Sequence, residues 1–172
     1  MENKPGKGHR VYFTADKGGK FFMDLTFESA EQGKVLGDGI WKVGDAKFAQ
    51  YVHIPYGRVS GRIGYNEDTI SVKGYAYMDQ IWQTVQATDL AVRSINFSTN
   101  TRSPYYAGRI SISEKGGLFG YALYNAGEGT KLLLPTQVKD GEETYSGKKF
   151  PKNKLTIAWK EGAPELSFPV NK

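Results

Sequence analysis

Hydrophobic residues recur at every second position in many short segments of the chain, starting near Val11. The clearest segment carries Phe21, Met23, Leu25 and Phe27 in this spacing. A period of two is that of a β-strand with one apolar face. Comparable segments follow as far as residues 155–159, with glycine-rich turns between them. The pattern predicts an all-β fold, an antiparallel barrel or sandwich of about nine or ten short strands.

Turn-forming residues separate these segments. Asp16–Gly19 has the composition of a hairpin turn, and Asn66–Asp68 is expected to join two strands of a second hairpin. Asp140–Gly141 is expected as a further turn. Pro55 is expected to end the apolar segment that begins at Lys47, since proline has no N–H to donate within a sheet.

Helical spacing is confined to one stretch, Met78–Val92. Thr88 and Asp89 interrupt its apolar side. The sequence therefore predicts no long amphipathic helix, and at most a short one here.

The domain organisation expected from the sequence is simple. Residues 1–10 are polar and are expected to form a flexible tail, followed by a single β-barrel-like domain over residues 11–172. The first residues contain no apolar segment typical of a signal peptide, which favours a cytoplasmic location. The longest apolar run, Leu132–Leu134, is far shorter than the roughly 20 residues of a membrane-spanning helix, so a soluble protein is expected.

Composition limits the chemistry. The chain has no cysteine, which excludes disulfides, thiolate nucleophiles and cysteine-bound zinc. No metal site and no cofactor are expected, because the two histidines, His9 and His53, are isolated and no phosphate-binding glycine motif is present. The net charge of +5 is compatible with peripheral contact with an anionic membrane. Basic residues do not concentrate on one predicted strand face, so no nucleic acid is expected as a partner.

The densest polar and aromatic cluster is the segment Gly74–Gln83. Aromatic rings can cover the apolar body of a ligand while a few polar groups orient its polar end. The candidate ligand-binding residues are therefore the aromatic Trp41, Tyr77 and Trp82 and the polar Asp79, Gln80 and Asn96. Asp79 can also serve as a general acid or base if it is buried. The structural alternative is that Asp79 caps a turn and Trp82 belongs to the core.

The same segment resembles a known superfamily. Gly74, Tyr77, Asp79 and Trp82 match a motif of the lipocalin-like proteins that include hydroxyneurosporene synthase (the carotenoid hydratase), the AttH-like proteins and the survival factors. Gln80 stands where the family has a histidine. The likeness extends over about Tyr51 to Gly117. Members commonly have two consecutive β-domains, so this chain is similar to one domain of such a protein.

The resemblance implies a cavity for a large apolar molecule such as a lipid, sphingolipid or isoprenoid. Binding of that ligand is the leading hypothesis. The alternative is a cofactor-free hydratase, isomerase or pericyclase (a Diels–Alderase-like cyclase) acting on an isoprenoid or polyketide, with Asp79 as the acid. A third hypothesis is a ligand-free interaction domain that pairs with a second β-domain or with another copy of itself.

Overall fold

The computed structural model describes residues 2–4, 8–29, 33–99, 101, 103–145, 148–160 and 163–169. These residues form thirteen β-strands and one short helix, arranged in three antiparallel sheets. The prediction of an all-β fold is confirmed. None of the three described sheets closes on itself into a barrel.

Sheet A contains six strands, of which two are unusually long. They are β1 (Glu2–Lys4), β2 (Gly8–Ala15), β3 (Phe21–Ser29), β4 (Ile40–Val43), β5 (Ala46–Tyr65) and β6 (Asp68–Gln83). The order is β1-β2-β3-β5-β4, and β6 pairs along the other side of β5. The first half of β5 pairs with β4 and its second half with β3. Residues 2–4 and 8–10, expected from the sequence as part of a tail, lie in β1 and the start of β2.

Sheet B follows a short helix, α1 (Ala87–Leu90). Its strands run in the order β10-β9-β8-β7. They are β7 (Arg93–Ser98), β8 (Tyr105–Ile112), β9 (Leu118–Asn125) and β10 (Lys131–Leu133). Sheet C completes the described chain with β11 (Pro135–Tyr145), β12 (Lys148–Trp159) and β13 (Leu166–Pro169).

Sheet B is the middle layer of a three-layer stack. Along β9, Ala122 and Tyr124 pack into a cluster with residues of β12, whereas Tyr121 and Leu123 pack against β5. Alternate residues of one strand thus face sheet C and sheet A, because successive side chains of a strand point to opposite faces. A strand covered on both sides needs apolar residues at consecutive positions, as 121–124 have.

A buried amide ties sheet A to sheet B. The Gln50 side chain donates from Nε2 to the carbonyl oxygen of Tyr121 at 3.1 Å, and its Oε1 accepts from the Tyr121 N–H at 3.4 Å. Gln50 is fully buried. Because a buried amide is costly unless both its donor and its acceptor are paired, these bonds fix how the two layers align.

The prediction that Pro55 ends its strand is wrong. Strand β5 continues through Pro55 to Tyr65, and the register with β6 shifts between Ile54 and Gly57. Such a bulge leaves residues without a ladder partner, so the missing N–H of proline breaks no hydrogen bond. The turn expected at Asp140–Gly141 is also wrong, since β11 runs through these residues and has a register shift just after Gly141.

The hairpin turns are confirmed. Asp16–Gly19 joins β2 to β3, with Gly18 and Gly19 at positive φ. Asn66 joins β5 to β6 at a φ of 54°, a conformation that asparagine tolerates better than most residues. The stretch with helical spacing, Met78–Val92, continues β6 to Gln83 and contains only the single-turn α1.

Candidate functional site

Strand β6 carries four of the six predicted ligand-binding residues, and it divides them between its two faces. Tyr77 packs against the core cluster between sheets A and B, so it and Asp79 are on the face of β6 turned toward sheet B, which we call the inner face. Gln80 and Trp82 are on the opposite, outer face, and both are exposed. The structure therefore does not bring these four side chains together.

Trp41 belongs to the packing between sheets A and B. Its ring stacks on Tyr121 with centroids 5.8 Å apart and also contacts Phe48 at 5.8 Å. Phe48 and Tyr121 are fully buried. Trp41 therefore forms part of the packing between the two sheets.

Asn96 lies on β7, opposite Arg109 of β8 in the strand register, and its side chain is exposed. Direct partners share a face of the sheet. Arg109 places its guanidinium 5.9 Å from the centre of the Phe48 ring, so this face of sheet B is turned toward sheet A. Asn96 thus lies at the side of the interlayer that contains Tyr77 and Asp79.

Burial, together with the nearby Asp79 carboxylate, raises the pKa of the Tyr77 hydroxyl far above its ordinary value, and Arg109 opposes the shift. The hydroxyl is buried and forms no well-aligned hydrogen bond with a described atom. Asp79 is nevertheless near enough to affect the ionisation of the hydroxyl. Tyr77 therefore stays protonated at every physiological pH. It can act as a neutral hydrogen-bond donor but not as a base.

Unlike the hydroxyl of Tyr77, that of Tyr121 both donates and accepts a hydrogen bond. It donates to the backbone oxygen of Lys34 at 2.7 Å and accepts from the N–H of Val52 at 3.1 Å. Burial raises the pKa of Tyr121. Its hydroxyl therefore serves the packing of β5 on sheet B and has no free donor for a ligand.

A continuous apolar surface covers the outer face of sheet A. Four residues on four neighbouring strands are direct register partners in one row: Phe13, Met23, Ile63 and Ile70. The next row contains Val11, Leu25, Gly61 and Val72. Side chains in such rows point to the same side. We call this surface, together with the outer residues of β6, the outer apolar face.

The described layers leave the row of Phe13 and Ile70 uncovered, whereas Phe27, on the same face beyond Leu25, is buried. Phe13 and Ile70 are 51% and 61% exposed, and none of the four residues in their row belongs to a cluster that joins the described layers. A Cβ placed on Gly74 would meet no heavy atom within 4 Å. A sheet normally buries its apolar face against another layer, so an exposed apolar row of this kind is a candidate binding surface.

The reverse side of the same strands is polar. The rows that alternate with the apolar ones contain Tyr12, Asp24, Arg62 and Ser71, and then Arg10, Thr26, Ser60 and Lys73. Arg10 forms a two-point ion pair with Asp24 at 2.7 and 2.9 Å. The contrast between the two sides shows that the apolar residues are a feature of one face and not of the strands as a whole.

Sequence reasoning did not single out the outer apolar face, although each strand showed its alternation. The signal was present in Phe21–Phe27 and in Val11 and Phe13. What was missing was the register, which places Phe13 and Ile70 in one row although they are far apart in the sequence.

No group of three or more histidine, cysteine, aspartate or glutamate side chains that could hold a metal ion is found among the described residues. None of the described helices has both the length and the apolar character needed to cross a bilayer.

Comparison with known proteins identifies no relative. No protein-family model matches the chain, and no curated protein and no solved structure matches it significantly.

Proposed function

We propose that this protein binds a large apolar molecule, a lipid or an isoprenoid, along the outer apolar face of sheet A. The observation that carries the proposal is the row Phe13, Met23, Ile63 and Ile70, which is apolar on four strands and has no described layer over it. The class of ligand agrees with the superfamily resemblance of the Gly74–Gln83 segment. On this proposal sheet A corresponds to one wall of a lipocalin-like barrel that is open on the ligand side.

Strand β6 provides the long axis of the proposed site. From Ile70 to Trp82 its outer positions are apolar or glycine with the single exception of Gln80, and they extend over about 40 Å at the rise of a β-strand. This length suits an extended acyl or isoprenoid chain. Gly74, in the middle, leaves a recess that a chain can cross.

Two of the predicted ligand-binding residues belong to this site. Trp82, 38% exposed, supplies a flat apolar surface at one end of β6. Gln80, next to it on the same face, is the polar group that can bind the ligand's head. Burying about 200 Å² of apolar surface stabilises a complex by about 5 kcal/mol before the entropic costs of association.

We propose that the protein binds its apolar ligand and does not add water to it. The hydratase alternative needs an acid against the ligand's double bond, and Asp79 lies on the opposite face of β6 from Gln80 and Trp82. Tyr77, whose hydroxyl is beside Asp79, is also on the inner face.

Native mass spectrometry of the purified chain, followed by organic extraction, tests the proposal. We expect a stoichiometric lipid or isoprenoid in the extract, or uptake of oleic acid when it is offered. The Val72→Glu variant should bind this ligand at least about tenfold more weakly, because the ligand would desolvate the new carboxylate. Ser71→Glu, one residue away on the polar side, is the matched control and should bind as the wild type does.

Two results would contradict the proposal. One is a ligand-free mass with no uptake of oleic acid or of a carotenoid. The other is a dimer in light scattering that Val72→Glu converts to a monomer, which would show that a second copy of the chain covers the outer apolar face.

A further inference from the structure

A groove of about 520 Å³ opens on the polar, inner side of sheet A, across the sheet from the proposed apolar site. Its volume is within the range of small-molecule sites. Its lining residues on the inner face are Glu28, Arg58, Ser60, Lys73 and Tyr75, whereas Val59 and Gly74, which also border it, are at the intervening outer positions.

The strand register defines the arrangement of the polar side chains in this groove. Glu28, Arg58 and Tyr75 are direct partners across β3, β5 and β6, and Ser60 and Lys73 are partners in the adjacent row. Partners on one face have Cβ atoms about 5 Å apart. Two cationic side chains and one hydroxyl therefore converge on a small area beside the Tyr75 ring.

The two cations of the groove have no ion-pair partner within the described structure, although the Glu28 carboxylate is in the same row as Arg58. Neither Arg58 nor Lys73 forms an ion pair with another described residue. By contrast, Arg10 is held by Asp24 at 2.7 Å, and Arg62 lies 3.9 Å from the same carboxylate. Arg58 and Lys73 thus remain available to an anion, which a guanidinium can hold through two parallel hydrogen bonds.

Tyr75 supplies a rigid platform next to these cations. Its ring stacks on Tyr56 with centroids 5.0 Å apart and an interplanar angle of 20°, and Tyr56 stacks in turn on the fully buried Tyr105 at 6.1 Å. Tyr75 is nevertheless 55% exposed. One face of the ring is backed by the stack, which leaves the other free to pack against a flat ring of a ligand.

We propose that this groove binds a small anion that carries a flat ring. The anionic group is held between Arg58 and Lys73, with the Ser60 hydroxyl donating to it, and the ring stacks on Tyr75. Glu28, the one carboxylate of the lining, accepts a hydrogen bond from a hydroxyl or amine of the ligand. Nucleoside monophosphates and aryl phosphates share this chemistry.

Isothermal titration calorimetry at near-physiological salt tests the proposal with five probes: adenosine monophosphate, phenyl phosphate, adenosine, inorganic phosphate and a single-stranded oligonucleotide. We expect at least one of the two ring-bearing phosphates to bind at least about tenfold more tightly than inorganic phosphate and adenosine, because only they engage both the cations and the ring. Comparable affinities for adenosine monophosphate and phenyl phosphate would show that a flat ring and an anionic group are sufficient for binding. Binding of the nucleotide alone would identify the nucleoside as the source of the ring.

Substitutions in and beside the groove test whether the probe binds there. Arg58→Gln and Tyr75→Ala should each weaken binding by about tenfold or more. Arg62→Gln, a cation on the same strand and face but outside the groove, should change it less than twofold. Circular dichroism checks that each variant is folded.

Three outcomes would overturn the proposal. The first is no detectable binding of either ring-bearing phosphate. The second is an equal loss for Arg62→Gln and Arg58→Gln, which would show only diffuse attraction to a basic surface. The third is binding confined to a single-stranded oligonucleotide, which would make the inner face a nucleic-acid surface. None of these results depends on whether the outer face binds a lipid.

Discussion

Ile70 and Ser71 are neighbours in β6, yet they lie on opposite faces of sheet A: Ile70 is a register partner of Ile63 on the apolar side, and Ser71 is a partner of Arg62 on the polar side. Both side chains are exposed. The pair therefore separates the effect of the outer apolar face from that of exposure alone.

A lysine at each of these positions should have different consequences. Ile70→Lys places a charge in the apolar row and should reduce binding of the neutral dye Nile red by about half or more, because the dye partitions onto apolar surface. Ser71→Lys should leave the dye fluorescence unchanged. Equal fluorescence of the two variants would show that the dye binds elsewhere.

Two glycines of sheet A should respond in opposite ways to an added methyl group. Gly74→Ala should raise the free energy of unfolding by about 0.5–1 kcal/mol, since its Cβ would meet open space and glycine weakens a strand. Gly61→Ala should lower it by about 2 kcal/mol, because its Cβ would collide with the Asp24 backbone. Urea denaturation measures both. A destabilised Gly74→Ala would mean that another layer covers this position.

The alternation within each strand could be predicted from the sequence, and so could the tight turns. The split of Tyr77 and Asp79 from Gln80 and Trp82 was also visible, since odd and even positions of a continuous strand face apart. The helical spacing that begins at Met78 competes with this strand pattern and obscures it.

Other features depend on contacts between residues distant in the sequence. Pro55 can lie within β5 because a bulge forms opposite β6. The presence of proline alone predicts the opposite, that the strand ends there. The groove around Arg58 and Tyr75 exists only because two strands pair in one register. A one-residue slip would exchange the two faces of a strand, and single-strand patterns do not fix the register between strands.

The buried hydroxyl of Tyr77 forms no well-aligned hydrogen bond with a described atom, so it should contribute little to stability. Tyr77→Phe removes a buried polar atom without a hydrogen bond and should leave the free energy of unfolding unchanged or raise it by about 1 kcal/mol. The measurement is denaturant unfolding beside the wild type. A loss of more than about 2 kcal/mol would show that the hydroxyl has a strong partner, with Asp79 as the first candidate.

Alkaline pH should destabilise the fold in part through Tyr106. Burial, with a smaller contribution from Tyr124, raises the pKa of Tyr106 to about 12. In the unfolded chain the tyrosine hydroxyl has its ordinary pKa of about 10. Between about pH 10 and 12 the unfolded state has therefore released a proton that the folded state retains, so stability falls as the pH rises.

Tyr106→Phe isolates this effect. The variant loses the hydrogen bond from Tyr106 to the Pro164 carbonyl, so it should be less stable at neutral pH. Its stability should nevertheless decline less steeply than that of the wild type above about pH 10, because one titrating group is absent. Parallel pH profiles of the two proteins would argue against a raised pKa at this site.

The most direct test of the proposed apolar site is fluorescence quenching by a brominated fatty acid, because bromine quenches only indoles that it touches. Of the three tryptophans, Trp82 lies on the outer apolar face, whereas Trp41 and Trp159 pack in cores on the other side of sheet A. We predict saturable quenching of the wild type and none of Trp82→Phe. Quenching that persists in Trp82→Phe, or no quenching of the wild type, would contradict the account.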